Sequence, residues 1–272
     1  MDFSRTVASC ALAAALLGAC ASTPAGPVPP VTDTQTASPL SVLDAAITAA
    51  GGAASLSRVK ELYWTGSAKV TKDGKTEEQT QAVLVRPFSF FRLTSWAKGA
   101  EPKTAKTIQA EQGKAWDVTR VTWQPMAEAG ARFENELLSV YSLMLLTPLT
   151  EPGVALTEAP AGPDGTRALK AVRPGAPAVE LEFDAAGKLL RAGYVGTDPV
   201  TGAQTTDMFV FAGEIASNGV KWPSRIRHER NGALAYEIEL AAFEALPEKT
   251  VRPLAQAMQY DPNAQPGDGD AG

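Results

Sequence analysis

Histidine occurs once in this 272-residue chain and cysteine twice, and the 25 basic residues do not outnumber the 30 acidic ones. Each scarcity excludes something. A zinc site takes three or four His, Cys or carboxylate ligands, which one histidine and two cysteines poorly supply. A Ser-His-Asp triad would need His228 beside an activated serine, and no G-x-S-x-G elbow occurs. With a formal net charge of −5 there is no basic excess to neutralise phosphates, so nucleic acid is not expected as a partner. No apolar run reaches the roughly 20 residues that a bilayer span requires.

The histidine lies in Arg225-Ile226-Arg227-His228-Glu229-Arg230. Strand alternation would set Ile226 and His228 on one face and Arg225, Arg227 and Glu229 on the other. We read His228 as a partly exposed strand residue and the basic run as a solvated face. Glu77-Glu78, Glu180/Glu182 and Glu237/Glu239 fit polar hairpin or strand faces better than paired catalytic acids. Gly162-Pro163-Asp164-Gly165 reads as a loop turn rather than a phosphate cradle. The inventory therefore points away from an enzyme, a metal or a cofactor.

The longest apolar stretch, Val7 to Ala19, is rich in Ala and Leu and follows Arg5. Its length suits the apolar segment of a secretory signal, although Asp2 weakens the basic start. It closes on Leu16-Leu17-Gly18-Ala19-Cys20, which resembles the bacterial lipobox. That resemblance implies that residues 1–19 are a lipoprotein signal peptide and that Cys20 becomes a lipid-bearing first residue. Two or three acyl chains would anchor it stably where one would not. Ala21, rather than Asp, after the cysteine implies the outer membrane, facing the periplasm. Removal of Cys10 with the signal leaves no cysteine pair, so the domain must stand on its core; a 44% hydrophobic composition permits one.

Residues 20–38 continue as a Pro-, Thr-, Ser- and Ala-rich stretch, read as a lipidated disordered tether. Residues 251–272 close on a polar Gly/Pro segment, read as a disordered tail. Between them, 39–250 reads as one domain. Ser41 and Asp44 have capping-box spacing before an apolar face of Val42, Leu43, Ala46, Ile47 and Ala50, and Gly51-Gly52 stops that helix. A short helix is expected over 53–59. Strands then dominate: 62–70, 80–93, 104–117, 179–184, 189–195, 206–211, 222–230 and 235–243. Asp73-Gly74, Gln112-Gly113, Ala186-Gly187 and Asn231-Gly232 supply turns. One helix interrupts them, with Asn135 as a candidate cap and Leu137, Leu138, Tyr141 and Leu145 making it apolar nearly all round. Such a helix must be covered on most sides.

Three stretches carry a wider likeness: Ala49-Ala50-Gly51-Gly52 leading to Leu56, Val59-Lys60 and Gly66; Gly113-Lys114-Ala115-Trp116-Asp117; and Ala216-Ser217-Asn218-Gly219-Val220-Lys221-Trp222-Pro223. Their order resembles the outer-membrane lipoprotein carrier (LolA/LolB-like) superfamily across most of 39–250. The resemblance implies an α+β, mainly β fold: a strongly curved antiparallel sheet, a half-open β-barrel, with helices covering its concave face. It also implies an apolar cavity for acyl chains. This domain is longer than the carriers, and the carriers' acyl-contacting residues have no residue-by-residue match here.

An apolar pocket between sheet and helix is the default ligand site. We expect Trp64, Leu84, Phe90, Trp116, Leu138, Tyr141, Leu145 and Phe209 to line it. The expected partner is a lipid or the acyl chain of a lipoprotein, with the membrane reached through Cys20. The alternative is an interaction or envelope-stress sensor module on the same fold, with an envelope protein as partner.

Overall fold

The computed structural model describes residues 38–72, 74–101, 104–119, 122–160, 162 and 165–250. The signal, Cys20, the tether and the tail lie outside the described residues.

The described residues open with helix α1 (Pro39–Ala49), capped by Ser38, whose Oγ accepts from the Ser41 amide at 3.3 Å. Pro39 suits the first turn, where no amide partner is needed. The cap therefore lies three residues before the expected Ser41. Gly51 and Gly52, at φ 118° and 87°, end the helix in backbone that other residues avoid. Helix α2 (Ala53–Leu56) is a single turn, shorter than expected.

Strands β1 (Glu61–Lys72), β2 (Lys75–Arg86), β3 (Phe90–Ala97), β4 (Lys106–Glu111), β5 (Lys114–Val118) and β6 (Trp123–Pro125) follow as a meander. Helix α3 (Glu128–Leu143) and a 3-10 turn (Thr147–Thr150) interrupt it. Then come β7 (Ala155–Ala159), β8 (Arg167–Val172), β9 (Val179–Phe183), β10 (Leu189–Thr197) and β11 (Gln204–Ala212). A two-stranded hairpin, β12 (Ile215–Ser217) and β13 (Val220–Trp222), precedes β14 (Arg225–Arg230) and β15 (Ala233–Leu246).

Thirteen of these strands form one antiparallel sheet in the order β6-β5-β4-β3-β2-β1-β15-β14-β11-β10-β9-β8-β7. β6 and β7 are its two edges, so the sheet does not close on itself. The long central pair β1–β15 joins two wings. It carries a bulge at Thr65/Gly66, and further irregularities fall at His228/Glu229 and Leu189/Arg191. Bulges bend a strand and sharpen its twist. Gly66 belongs at one of them because a Cβ there would meet the Glu239 carbonyl oxygen at 2.2 Å.

Three departures from the sequence expectation have local causes. The stretch read as one strand over 80–93 breaks at Pro87-Phe88-Ser89. Phe88 takes φ 54°, and its amide donates to Ser142 Oγ of α3 at 2.8 Å. Helix α3 begins at Glu128, so Asn135 is interior; its Nδ2 donates to the Ala131 carbonyl at 2.7 Å. The β7–β8 hairpin occupies residues where no strand was expected, because its short Ala-rich runs carry weak alternation.

Alternation places Leu62, Trp64 and Ala68 of β1 inside, all at most 1% exposed. The same cluster takes Val83 and Val85 of β2, Phe91 of β3 and Ala110 and Ala115 across β4 and β5. From the other wing come Leu169, Leu181, Ala192, Phe209, Phe211, Ile226 and Ile238. Helix α3 packs against both wings, on β2 to β5 and on β10. It presents Leu137, Leu138, Val140, Tyr141 and Leu143 to the same core, so it fills the concave face. Helix α1 packs on β7 and β8 with Leu43 and Ala46 fully buried.

The Gly51-Gly52 stop and the Asn218-Gly219 turn meet in space. A Cβ on Gly51 would lie 1.9 Å from the Gly219 oxygen, and the Lys221 amide donates to the Ala50 carbonyl at 2.9 Å. Asn218 Nδ2 also donates to the Ala245 carbonyl at 2.7 Å, tying the turn to β15.

Candidate functional site

The hollow of the half-barrel is occupied by rings. Tyr141 of α3 meets Trp64 edge-on at 5.2 Å, Phe209 edge-on at 5.9 Å and Phe91 in a stack at 6.1 Å. Trp64 continues to Trp222 at 6.0 Å, and Trp222 stacks on Phe243 at 5.5 Å. Phe209 continues to Phe211 and Tyr194. Offset and edge-on pairs of this kind each add about 0.5–1.5 kcal/mol beyond burial. The indole nitrogens of Trp64 and Trp222 and the Tyr194 hydroxyl are buried without a hydrogen-bond partner among the described residues. Packing rather than hydrogen bonding holds these rings.

Of the eight residues expected to line a pocket, Trp64, Leu138, Tyr141, Leu145 and Phe209 converge in this core. The register sends the other three to the opposite face. Paired residues of an antiparallel sheet share a face, and Leu84 pairs with Arg92, Arg92 with Gln109 and Gln109 with Trp116. Phe90 pairs with Arg86 and Glu111, and the Arg86 guanidinium lies 5.0 Å from its ring. The β2 run Ala82-Val83-Leu84-Val85 is apolar throughout, so it carries no parity signal in sequence.

His228 is not partly exposed. It is 4% accessible, because β14 lies inside the sheet and Phe133 of α3 stacks over it at 6.4 Å. Its ring also stacks with that of Phe209 at 4.4 Å and 1°. His228 Nε2 contacts Asp207 Oδ1 at 2.5 Å, Arg230 Nε donates to the same oxygen at 3.1 Å, and Thr205 Oγ1 donates to Oδ2 at 2.5 Å. Burial opposes the Asp207 charge, but bonds from His228 and Thr205 and the nearby charges of His228 and Arg230 hold its carboxyl below the usual range. The Arg230 guanidinium lies 4.5 Å from the Phe133 ring.

Glu134 of α3 is buried in the same region, and its Oε2 has no hydrogen-bond partner among the described residues. Burial, and then the charge of Asp117, push its carboxyl up to about 8, against the pull of Arg230. Glu136, two residues on, accepts from the Thr197 amide and hydroxyl at 2.9 and 2.7 Å, pinning α3 to the end of β10. The sequence reading singled out neither Glu134, Glu136 nor Thr197. The signal for the two glutamates was Glu134-Asn135-Glu136, a polar triplet just before an apolar helical run. Among the described residues, no group of three or more His, Cys, Asp or Glu could hold a metal, and no helix is long and apolar enough to cross a membrane.

Open space lies beside α3 rather than beneath it. A hollow of about 720 Å3 runs from α2 past the β2–β3 turn to the 3-10 turn, over Leu56, Val59, Phe88, Leu145 and Pro148. A second, of about 540 Å3, follows the outer side of α3 along Arg132, Asn135, Leu138 and Ser139. Phe88 and Arg173 line both, as the ridge between them. Arg173 sits 3.8 Å from the Phe88 ring and bonds Glu151 at 3.2 Å. A cleft against α1, Met144 and Trp222 holds only about 50 Å3. Leu145 and Leu138 thus each border one of the two larger hollows.

No model of a known protein family matches the chain, and no curated protein does. Solved structures do. A LolA superfamily protein from Nitrosomonas europaea is 10% identical over 76% of this chain and 93% of its own, with a TM-score of 0.49. A DUF1329 family protein from Desulfovibrio piger is 11% identical over 77% of this chain and 94% of its own, with a TM-score of 0.50. At such identity the likeness to the DUF1329 protein is one of fold alone: an open, curved antiparallel sheet around a helix.

Proposed function

We propose that this chain is a cell-envelope lipoprotein, anchored through Cys20 at the outer membrane and facing the periplasm. In this reading it binds a lipid or the acyl chain of a lipoprotein without catalysing a reaction, and serves transport to or within the outer membrane. The observation that carries the reading is a pair of hollows, one of about 540 Å3 along the outer side of α3 and one of about 720 Å3 between α2 and the 3-10 turn that follows α3. Both fall within the range of small-ligand sites. Burying an acyl chain there gains about 25 cal/mol per Å2 of apolar surface. The ring-filled interior means that a guest sits beside α3, and that deeper entry requires the helix to move.

The test uses the chain carrying Cys20→Ser, so that its own acyl groups do not compete, and a fluorescent fatty acid. Saturable binding is expected. Ser57→Trp with Thr150→Trp, both at exposed positions lining the larger hollow, should weaken it at least tenfold. Absence of saturable binding, or equal binding by the filled variant, rejects the reading.

The filled interior also favours a second reading, an interaction or envelope-stress sensor module that grips an envelope protein. Retrieval of partners from membranes, followed by lipid extraction of the co-purified material, separates the two: protein without lipid supports the module.

A further inference from the structure

The larger hollow is charged against the trend of the chain. The whole sequence is formally −5, whereas the lining of this hollow carries Lys60, Lys249 and Arg173 against one carboxylate, Glu151. Arg173 spends its charge on Glu151 at 3.2 Å and on the Phe88 ring. Lys60 and Lys249 are exposed and make no ion pair with a described residue. Below them lies an apolar floor: Leu56, Val59 and Leu145 are at most 8% exposed, with Phe88 and Pro148 beside them. The neighbouring hollow shows no such bias. There Arg132 pairs with Glu128 at 2.7 Å, and Glu136 is engaged by Thr197.

Two cations without an ion-pair partner among the described residues, over an apolar floor, complement a molecule with one anionic head and one greasy tail. We infer that the larger hollow is a binding site for an anionic single-chain amphiphile, its headgroup held by Lys60 and Lys249 and its chain laid along Leu56, Val59 and Phe88. This rests on the lipid-binding reading above and adds the charge of the ligand. Charge-assisted contacts to the head are stronger than neutral ones. A zwitterionic head brings no net charge to the lysines, and an acidic peptide makes no use of the floor.

The test titrates three probes, each below its micelle-forming concentration, into the Cys20→Ser chain: lysophosphatidylglycerol, lysophosphatidylcholine of the same acyl length, and glycerol phosphate. The anionic lysolipid should bind roughly 25-fold tighter than the zwitterionic one, taking about fivefold for each of the two lysines. Added salt should shrink that preference. Lys60→Gln with Lys249→Gln should abolish it and leave lysophosphatidylcholine binding unchanged, and Lys60→Arg with Lys249→Arg should retain it. Equal binding of the two lysolipids overturns this inference and leaves the lipid-binding reading standing. Binding of neither overturns both. Glycerol phosphate binding as tightly as lysophosphatidylglycerol makes the site one for phosphate alone and overturns the role of the floor.

Discussion

The guanidinium of Arg173 lies 3.8 Å from the centroid of the Phe88 ring. Phe88 belongs to the β2–β3 turn and Arg173 follows β8, and six strands stand between β2 and β8 in the sheet. At about 4.8 Å per step and seven steps, a flat sheet would hold these strands roughly 34 Å apart. The contact therefore measures how far the sheet has curled. It also ties three parts together, since the Phe88 amide bonds Ser142 of α3 and Arg173 bonds Glu151 beyond it.

That contact should act as a latch. In a double-mutant cycle of Phe88→Leu and Arg173→Met, read by urea unfolding, the coupling should be about 0.5–1 kcal/mol. The double variant should also associate faster with the fatty-acid probe in stopped flow. Additive losses with an unchanged association rate would show that the stack holds nothing closed.

Glu134 makes stability depend on pH with an unusual sign. Its folded carboxyl is raised from 4.5 to about 8, mainly by burial. The folded state therefore holds a proton that the unfolded chain has released. The contribution is full below about pH 4.5 and is lost as pH rises towards and through about 8. At roughly 1.4 kcal/mol per pH unit, the loss amounts to a few kcal/mol. Asp207 works the other way: its lowered carboxyl stabilises above about pH 4, and that contribution is lost as pH falls through its folded value. Unfolding free energies measured at pH 5, 7 and 9 should fall across the series in the parent and stay nearly level in Glu134→Gln. A parent flat from pH 5 to 9 would mean that Glu134 is solvated after all.

Gly51→Ala should be among the costliest small substitutions in the chain. The new Cβ would overlap the Gly219 oxygen at 1.9 Å, at a φ of 118° that side chains rarely adopt. Strain and the forced separation of the two turns predict a loss of about 2–4 kcal/mol. Gly74→Ala, where a Cβ meets nothing within 4 Å, provides the comparison: it bears only the backbone cost of φ 73°. Equal thermal shifts for the two would argue that the two turns do not pack together in solution.

Cys20 lies outside the described residues, and its proposed role is tested by fractionation. Cys20→Ser should move the protein from the membrane to the soluble envelope fraction, and the parent's first residue should carry diacylglycerol by mass spectrometry. Ala21→Asp should shift the parent from the outer to the inner membrane. A parent that is soluble and unacylated would remove the anchor and leave the fold untouched.

Several turns were legible because they depend on one or two residues. Gln112-Gly113 and Asn231-Gly232 both take paired positive φ values, 52° and 78° and 50° and 76°. That geometry selects Gly and short amide side chains almost by itself. The strict alternation of Val179–Phe183 likewise declared its faces, and its burial follows it. Leu84 did not, because an unbroken apolar run reads the same in either register. His228 read as exposed because the number of strands stacked beside β14, and the helix above it, are set by residues far away in sequence.

The sequence by itself determined most of the order of helices and strands, several of the turns and an apolar helix in need of cover, since periodicity and turn chemistry act over a few residues. Tertiary structure alone decided that Tyr141 and its neighbours fill the concave face, that Asp207, His228 and Arg230 meet beneath Phe133, and that the open space lies beside α3. Those outcomes depend on register and curvature, which sum small local twists over thirteen strands, and no short stretch of chain records the sum.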